Sequence, residues 1–525
     1  MTRFAALLDH RQSRAQRALR IAGDLTRRTR SQPASQDTGD IRLWQCGAPG
    51  GRAPRVHALG PLLLVGELAL TDLSDLRGAL AADPQTDPAD LVLAAWSRWG
   101  EAALDRLNGA FAFVLWDGRA QRLTAVRDRF GIHPLAYAIT AQGWVFASDL
   151  STVLAGLDAT PDTDPAWVAD FLSGHYLDMV ATAWCGVSRL APGHLLTLDA
   201  DGARTLRVWY RLEASAPPAT DGGPGPALHA ALAHATTEAC AQGPTATMLS
   251  GGLDSSSLAL LSVGADGPAR PALSLRYRDP ALDEGRYIDS VLQKAGGRLD
   301  PVFLPGEAAD EDIFRLDQQF DWQDQPVFAP GLNRNHHLYR AARGLGYGAI
   351  LDGHGGDEII GGTLYDIAQL ARGRHWPQAL GLAARGARFT GGSVLDATAF
   401  VLAMNGKRGF GRLGRKILRR AAAGSDHPKG DLVDPELARA TRLDERLRDL
   451  GRPDPRDRDL PEHVGRHARL IAGPMPAVGF ETMSRAAQAE SMQVRYPFYD
   501  HRVAELCIWQ TPAIKVAHGQ PRALL

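Results

Sequence analysis

The sequence predicts a two-domain α/β protein, and three features predict it. The chain has 525 residues, more than one hydrophobic core ordinarily organises. A Pro-, Gly- and Ala-rich stretch, "LEASAPPATDGGPGPAL" from Leu212 to Leu228, interrupts it where a packed element is not expected. The patterning also changes across that stretch: short alternating or apolar runs before it, apolar strands alternating with helical patterns after it. The expected divisions are 1–211, a linker at 212–227, and 228–525. The first part reads as sheet-rich and the last as a doubly wound parallel sheet with helices on its faces.

From the N-terminus, "MTRFAALLDHRQSRAQRALRIAGDLTRRTR" is arginine-rich, as a transit peptide would be. However, "RFAALLD" reads as a strand and the remainder as a basic amphipathic helix, so a folded N-terminus is expected. "PLLLVGEL", "GAFAFVLWD", "RLTAVRD", "GWVFASD" and "HLLTLDADG" supply the strands of the first domain. In the second, "TATML", "PALSLRY", "PVFLP" and "YGAILDG" read as strands, with "DSSSLALLSVG" and "DEGRYIDSVLQKAG" as helices between them. Two stretches stand apart. "KRGFGRLGRKILRR", residues 407–420, is either a solvated helix face or a docking surface for an acidic peptide or phosphates. "DLVDPELARATRLDERLRDLGRPDPRDRDLPEH", residues 431–463, is charged and proline-broken and reads as a mobile excursion.

Composition narrows the class. With 45% hydrophobic and 22% charged residues and a net charge of −1, the chain offers no global field for nucleic acid. The four cysteines, Cys46, Cys185, Cys240 and Cys507, lack CxxC or Cys/His metal spacing and suit a reducing cytoplasm. No apolar run approaches the roughly 18 residues that span a bilayer. A cytoplasmic protein with neither membrane nor nucleic-acid partners is expected.

The densest chemistry lies in "TATMLSGGLDSSSLALL", Thr245 to Leu261. A strand ending at Leu249 and a helix starting near Asp254 leave Ser250, Gly251, Gly252 and Leu253 as the turn. Glycines let an anion approach the backbone, and the helix start offers unpaired N–H groups and a positive dipole end. Ser255, Ser256 and Ser257 add hydroxyls. Asp254 would repel bare phosphate, a conflict that a bridging divalent metal resolves, so a metal–polyphosphate is the expected ligand. The stretch lacks GxxxxGK[ST] and GxGxxG, which excludes a Walker loop and a dinucleotide fingerprint. An ordinary turn with Asp254 as N-cap is the plain structural alternative.

This octet resembles the SGGxDS pyrophosphate loop of the ATP pyrophosphatases. "AILDGHGGDEIIGG", Ala349 to Gly362, is similar to the SGxGxDExxGG stretch of asparagine synthetases, and "VRYPFYDHRVAELC" to their R-x-P-F-x-D segment. "LNGAFAFVLWDGRAQRLTAVRDRFGIHPLAY" and "LAPGHLLTL" resemble the glutamine amidotransferase half of the same family. The resemblance implies an N-terminal Ntn-hydrolase-like (class II glutamine amidotransferase-like) αββα sandwich joined to an ATP-pyrophosphatase domain. It implies ATP and Mg2+ as cofactors. Ser250, Gly251, Gly252, Leu253, Asp254, Ser255 and Ser256 would hold ATP with Gly353 against the nucleotide, and Asp254 and Asp357 would hold the metal.

The departures from that family set the further expectations. Its glutaminase nucleophile is an N-terminal cysteine, where this chain has Thr2, and the glutamine-site asparagine before Gly-Glu is Val65. The first half is therefore expected to be inactive. His354 replaces the Glu of ammonia-using asparagine synthetases and the Tyr of β-lactam synthetases. It would either take a proton from an attacking amine or simply hydrogen-bond the loop. Gln493 stands where asparagine synthetases usually carry Glu. An intact adenylating half beside a cysteine-free amidotransferase half is the pattern of amide-forming cyclases, and "ETMSRAAQAESMQVRYPFYDHRVAELC" resembles lasso-peptide macrolactam synthetases most. That likeness implies a precursor peptide as substrate, with a leader peptidase and leader-binding proteins as partners. The family's further catalytic lysine is expected past "KVAHGQPRALL", beyond Leu525, so Lys515 is not assigned that role. The rivals are an asparagine or β-lactam synthetase-type amidoligase and a non-catalytic nucleotide-binding scaffold.

Overall fold

The computed structural model describes residues 3–525 apart from 10–13, 40, 48–52, 141–142, 176–177, 200–201, 221, 265–267, 316–318, 320–321, 328, 363–365, 368–369, 372–374, 390–392, 405–431, 451–454, 518–519 and 521. Thr2 and the basic stretch 407–420 lie outside the described residues.

Among the described residues twelve strands build the first half: β1 (Phe4–Asp9), β2 (Ala34–Asp37), β3 (Ile41–Gln45), β4 (His57–Leu59), β5 (Leu62–Thr71), β6 (Asn108–Asp117), β7 (Arg122–Arg127), β8 (Ala136–Thr140), β9 (Gly143–Ala147), β10 (Val187–Arg189), β11 (His194–Leu198) and β12 (Arg204–Val208). They form two antiparallel sheets, β10-β8-β9-β1-β3-β2 and β12-β11-β7-β6-β5-β4. The period-2 alternation sorts β5 cleanly. Leu63 and Val65 enter the core between the sheets with Phe4, Ile41, Ala112 and Val114, while Leu62 and Leu64 face helix Pro88–Trp99 outside. Helix Arg14–Thr29 covers the outer face of the other sheet through Ala18, Ile21 and Leu25. The result is the αββα sandwich, and the arginine-rich N-terminus is part of it.

The second half carries β13 (Thr245–Met248), β14 (Arg270–Arg276), β15 (Leu299–Pro305), β16 (Ala349–Leu351) and β17 (Gln493–Arg495). All neighbours pair in parallel, in the order β15-β14-β13-β16-β17. β13 and β16 are buried throughout, as strands covered by helices on both faces must be. The strand order reverses at the β13/β16 junction, where the strands' carboxyl ends open a crevice suited to ligands.

Two expectations need correction. Helix Pro224–Ala241 begins inside the stretch read as linker, because Pro224 fits the first helical turn, where no N–H is needed. Within 431–463, Pro435–Ala440 and Leu443–Leu450 are helices, the first capped by Asp434 and the second anchored by Arg446, whose Nη1 donates to Asp170 at 2.8 Å. Prolines there start helices rather than break the packing.

The halves share a core. Phe130 and Ile132 pack in one cluster with Phe480, Tyr499 and the β13 and β16 side chains. Helix Pro474–Ala489 is buried along its whole length from Pro476 to Gln488. On one side Glu481 pairs with Arg189 (2.5 Å) and Arg485 with Asp324 (3.0 Å), and on another Phe480 reaches the second-domain cleft.

Candidate active site

The turn after β13 folds on itself through its serines. Ser250 Oγ and Ser255 Oγ lie 2.9 Å apart, and Ser255 Oγ also accepts from the Ser250 backbone N–H at 3.1 Å. Helix Leu253–Leu261 follows, with Gly252 as its N-cap and no side chain capping it, so Asp254 lies inside the first turn and is not the N-cap. The first-turn N–H groups are thus left for an anion. Ser256 Oγ is buried with no hydrogen-bond partner among the described residues.

The loop after β16 comes alongside because Gly353 permits it: a Cβ there would approach the Ser255 backbone N to 2.8 Å. The two loops face one another across a cleft of about 610 Å3. Ser250, Gly252, Asp254, Ser255, Gly353, His354, Asp357 and Glu358 line it, together with Tyr277, Asp310, Arg334, Asp352 and Arg522. Gly251, Leu253 and Ser256, expected at the ligand, do not line it. Gly251 turns back against Tyr287, and the Leu253 side chain faces solvent at 54% exposure. His354 lies on the cleft wall, its ring edge-on to Phe480 with centroids 6.0 Å apart.

Asp254 and Asp357 converge from the two loops on a residue the sequence reading missed. Arg522 donates to Asp254 Oδ1 at 2.7 Å through Nη1 and pairs with Asp357 through Nη2. Gly362, at φ +91°, lets the C-terminal segment approach: a Cβ there would come within 2.6 Å of Lys515 O. Arg522 itself adopts φ +55°, an unfavourable conformation for a side-chain-bearing residue. Arg522 places a cation at the carboxylate pair. Burial pushes the Asp254 carboxyl up to about 6; Arg522 pulls against that rise, while Asp357 and Glu358 add to it. Hard carboxylate oxygens gathered around one positive charge are the donor set a magnesium ion takes, so the residues present fit that ion.

The R-x-P-F-x-D segment is structural here. Arg495 donates to Thr245 Oγ1 (2.8 Å), Gln242 O (2.9 Å) and Gln493 Oε1 (2.9 Å), tying β17 to the start of β13 at the end opposite the cleft. Asp500 caps helix His501–Ile508 and pairs with Arg502. Lys515 is buried, with Nζ 2.7 Å from His467 Nδ1, and His467 Nε2 lies 2.7 Å from Glu358 O. It therefore braces the loop after β16.

In the first half Val65 is fixed opposite Val114 in β5, its side chain in the core. Cys46 is buried, and burial pushes its thiol up to about 11, which leaves almost no thiolate near neutrality. Among the described residues no helix is long and apolar enough to cross a membrane.

A doubly wound sheet with a serine-rich anion turn and a carboxylate pair at its switch point defines an α/β protein with a ligand cleft between β13 and β16. The asparagine synthase family pattern matches residues 227–525, and the chain belongs to that family. A glutamine amidotransferase domain pattern matches residues 61–210. The glutamine-hydrolyzing asparagine synthetase 3 of Bacillus subtilis strain 168 is 28% identical over 43% of this chain and 38% of its own length. The amidase chry2 of Gibberella zeae is 26% identical over 60% of this chain and 49% of its own. The chain thus spans less than half the length of either relative. Among solved structures, the glutamine phosphoribosylpyrophosphate amidotransferase from B. subtilis is 14% identical over 58% of this chain and 66% of its own, at a TM-score of 0.29, and adds nothing to the fold assignment.

Proposed function

We propose that this protein is an ATP-dependent macrolactam synthetase of the lasso-peptide cyclase kind. It adenylates an Asp or Glu side chain of a precursor peptide, whose N-terminal amine then attacks and closes an isopeptide ring. AMP and pyrophosphate are the by-products. The observation that supports this reading most is the pairing of the Ser250–Ser256 turn with Asp254, Asp357 and Arg522 at one switch point. Beside it stands a first half in which Val65 and Cys46 cannot supply a glutaminase site. The turn lacks the lysine that P-loop enzymes aim at the γ phosphate, which favours cleavage between the α and β phosphates over γ transfer. Asp254 and Asp357 would hold magnesium, whose charge would neutralise the polyphosphate. Arg522 adds a fixed cation opposite the turn. His354 on the cleft wall would take the proton of the attacking amine. The partners in this reading are the precursor peptide, a leader peptidase and a leader-binding protein.

The names of the curated relatives favour a second reading, an asparagine synthetase-type ligase that uses free ammonia. One experiment separates the two. The protein is incubated with MgATP and either a linear peptide bearing a free N-terminus and a suitably placed Asp or Glu, or L-aspartate with ammonium chloride. The expected outcome is AMP, pyrophosphate and a peptide lighter by one water, with closure abolished by N-terminal acetylation. Asparagine from the second mixture would replace this reading with the other. ADP as product, or ring closure indifferent to acetylation, would sink the mechanism.

A further inference from the structure

Asp352 lies at the end of β16, five residues before Asp357, and belongs to neither the phosphate turn nor the carboxylate pair. Its place is fixed: the backbone N–H donates to Arg495 O at 3.0 Å, and Oδ1 accepts from the His354 backbone N–H at 2.9 Å. The residue is only 7% exposed, yet it lines the 610 Å3 cleft, and Oδ2 has no hydrogen-bond partner among the described residues. A buried carboxylate with an empty oxygen is costly unless something positive or hydrogen-bond-donating meets it.

The cleft's own arginines do not meet it. Arg334 donates to Asp310 at 2.6 Å, and Arg522 is spread across Asp254 and Asp357. His354 reaches Asp352 through its backbone rather than through a ring hydrogen bond. The nearby phenols of Tyr339 and Tyr496 are held neutral by burial. The cleft lining is acid-rich, carrying Asp254, Glu284, Asp310, Asp352, Asp357 and Glu358 against Arg334 and Arg522. With both arginines engaged elsewhere, neither reaches Asp352, and burial pushes its carboxyl up while His354 pulls against that rise.

We propose that Asp352 is the docking group for a primary ammonium, so that the amine substrate enters the cleft as R–NH3+ with Asp352 Oδ2 accepting one of its hydrogens. An ammonium suits the position because it brings three donors and one charge to an oxygen that needs one of each. Held there, it lies beside His354 and across the cleft from the phosphate turn. The proposal rests on the ligase reading for its purpose, but not for its measurement.

The test titrates the full chain with n-butylammonium, observed by ligand NMR near neutral pH, with 1-butanol as an uncharged probe of the same length. Wild type is expected to bind butylammonium saturably, and Asp352→Asn to weaken it by about tenfold or more, the scale of one charge-assisted hydrogen bond. Butanol should be indifferent to the substitution. Asn keeps an acceptor for the His354 N–H, and circular dichroism shows whether the variant is folded. Equal butylammonium affinity in the two proteins, or no saturable binding to wild type, overturns the proposal. So does a variant that loses magnesium affinity while keeping butylammonium, since Asp352 would then be a metal ligand. In turnover, Asp352→Asn should raise the KM of the amine and slow amide formation about tenfold more than ATP–pyrophosphate exchange. Failure of wild type to exchange pyrophosphate counts against the ligase reading alone, because butylammonium binding needs no ATP.

Discussion

Asp254 is subject to opposing influences: burial and two neighbouring carboxylates discourage its charge, and Arg522 encourages it. A divalent cation between Asp254 and Asp357 would add to the arginine's pull, so both carboxylates belong to one electrostatic unit. Asp254→Ala and Asp357→Ala are each expected to lower ATP–pyrophosphate exchange by roughly two orders of magnitude or more, in line with losing a preorganised charge at a reacting phosphate. Near-normal exchange in either variant would end the metal assignment. Arg522→Ala should cost a comparable factor, and an unaffected rate would make that arginine a mere latch for the C-terminal segment. Lys515 invites a measurement of a different kind. Burial pushes its ammonium down to about 8 from an ordinary 10.5, although Asp366 pulls upward. The unfolded chain therefore holds the extra proton between those values, and stability should rise with pH across that window. The Tm difference between wild type and Lys515→Met should move in favour of wild type from about pH 8 to about pH 10. A pH-independent difference would show that the lysine is solvated.

Helix Pro474–Ala489 makes the clearest case at the level of elements. Its polar stripe, Glu481, Ser484, Arg485 and Gln488, meets groups of the first half instead of water, and the structure buries the helix on all sides. Glu481 and Arg189 meet across the domain boundary, both buried, with Arg189 also bonded to Ala181 O. Removing one partner leaves the other charge buried alone, so Glu481→Ala should destabilise by about 3–5 kcal/mol, read as a shift in the urea midpoint. A loss below about 1 kcal/mol would mean that the pair is hydrated like a surface bridge. The two active-site loops show what an element leaves legible. A strand, a glycine turn and a serine-rich helix start are all local, so the turn after β13 was readable from its own residues. The helices Pro435–Ala440 and Leu443–Leu450 were not, because their amphipathic runs are too short to outweigh the surrounding prolines.

On the scale of the whole molecule, the first half is built like an amidotransferase domain and is expected to lack glutaminase activity. Val65 is locked into the inter-sheet core, and the Cys46 thiol is both buried and protonated. Incubation with glutamine should release glutamate no faster than buffer alone, with or without ATP, and clear ATP-independent release would reverse that reading. The half nevertheless stays joined to the ligase half through Arg189–Glu481, Arg28–Asp324 (2.8 Å) and the shared core around Phe130 and Ile132. Its remaining contribution is to complete that shared core and support the back of helix Pro474–Ala489, whose Phe480 flanks His354.

By itself the sequence determined whatever depends on near neighbours. The alternation in β5 sorted its two faces, the serine–glycine turn stood out as a candidate anion site, and Asp254 and Asp357 each stood out within a glycine-marked loop. Only the tertiary structure decided what depends on distant segments meeting. Asp254 and Arg522 are 268 positions apart and come together because the C-terminal segment folds over Gly362. Asp352 looked like one more loop residue until burial and the engagement of both cleft arginines left its second oxygen alone. Local patterning fixes which backbone conformations and faces are favoured, whereas a charge acquires its role from every group packed within a few ångströms of it.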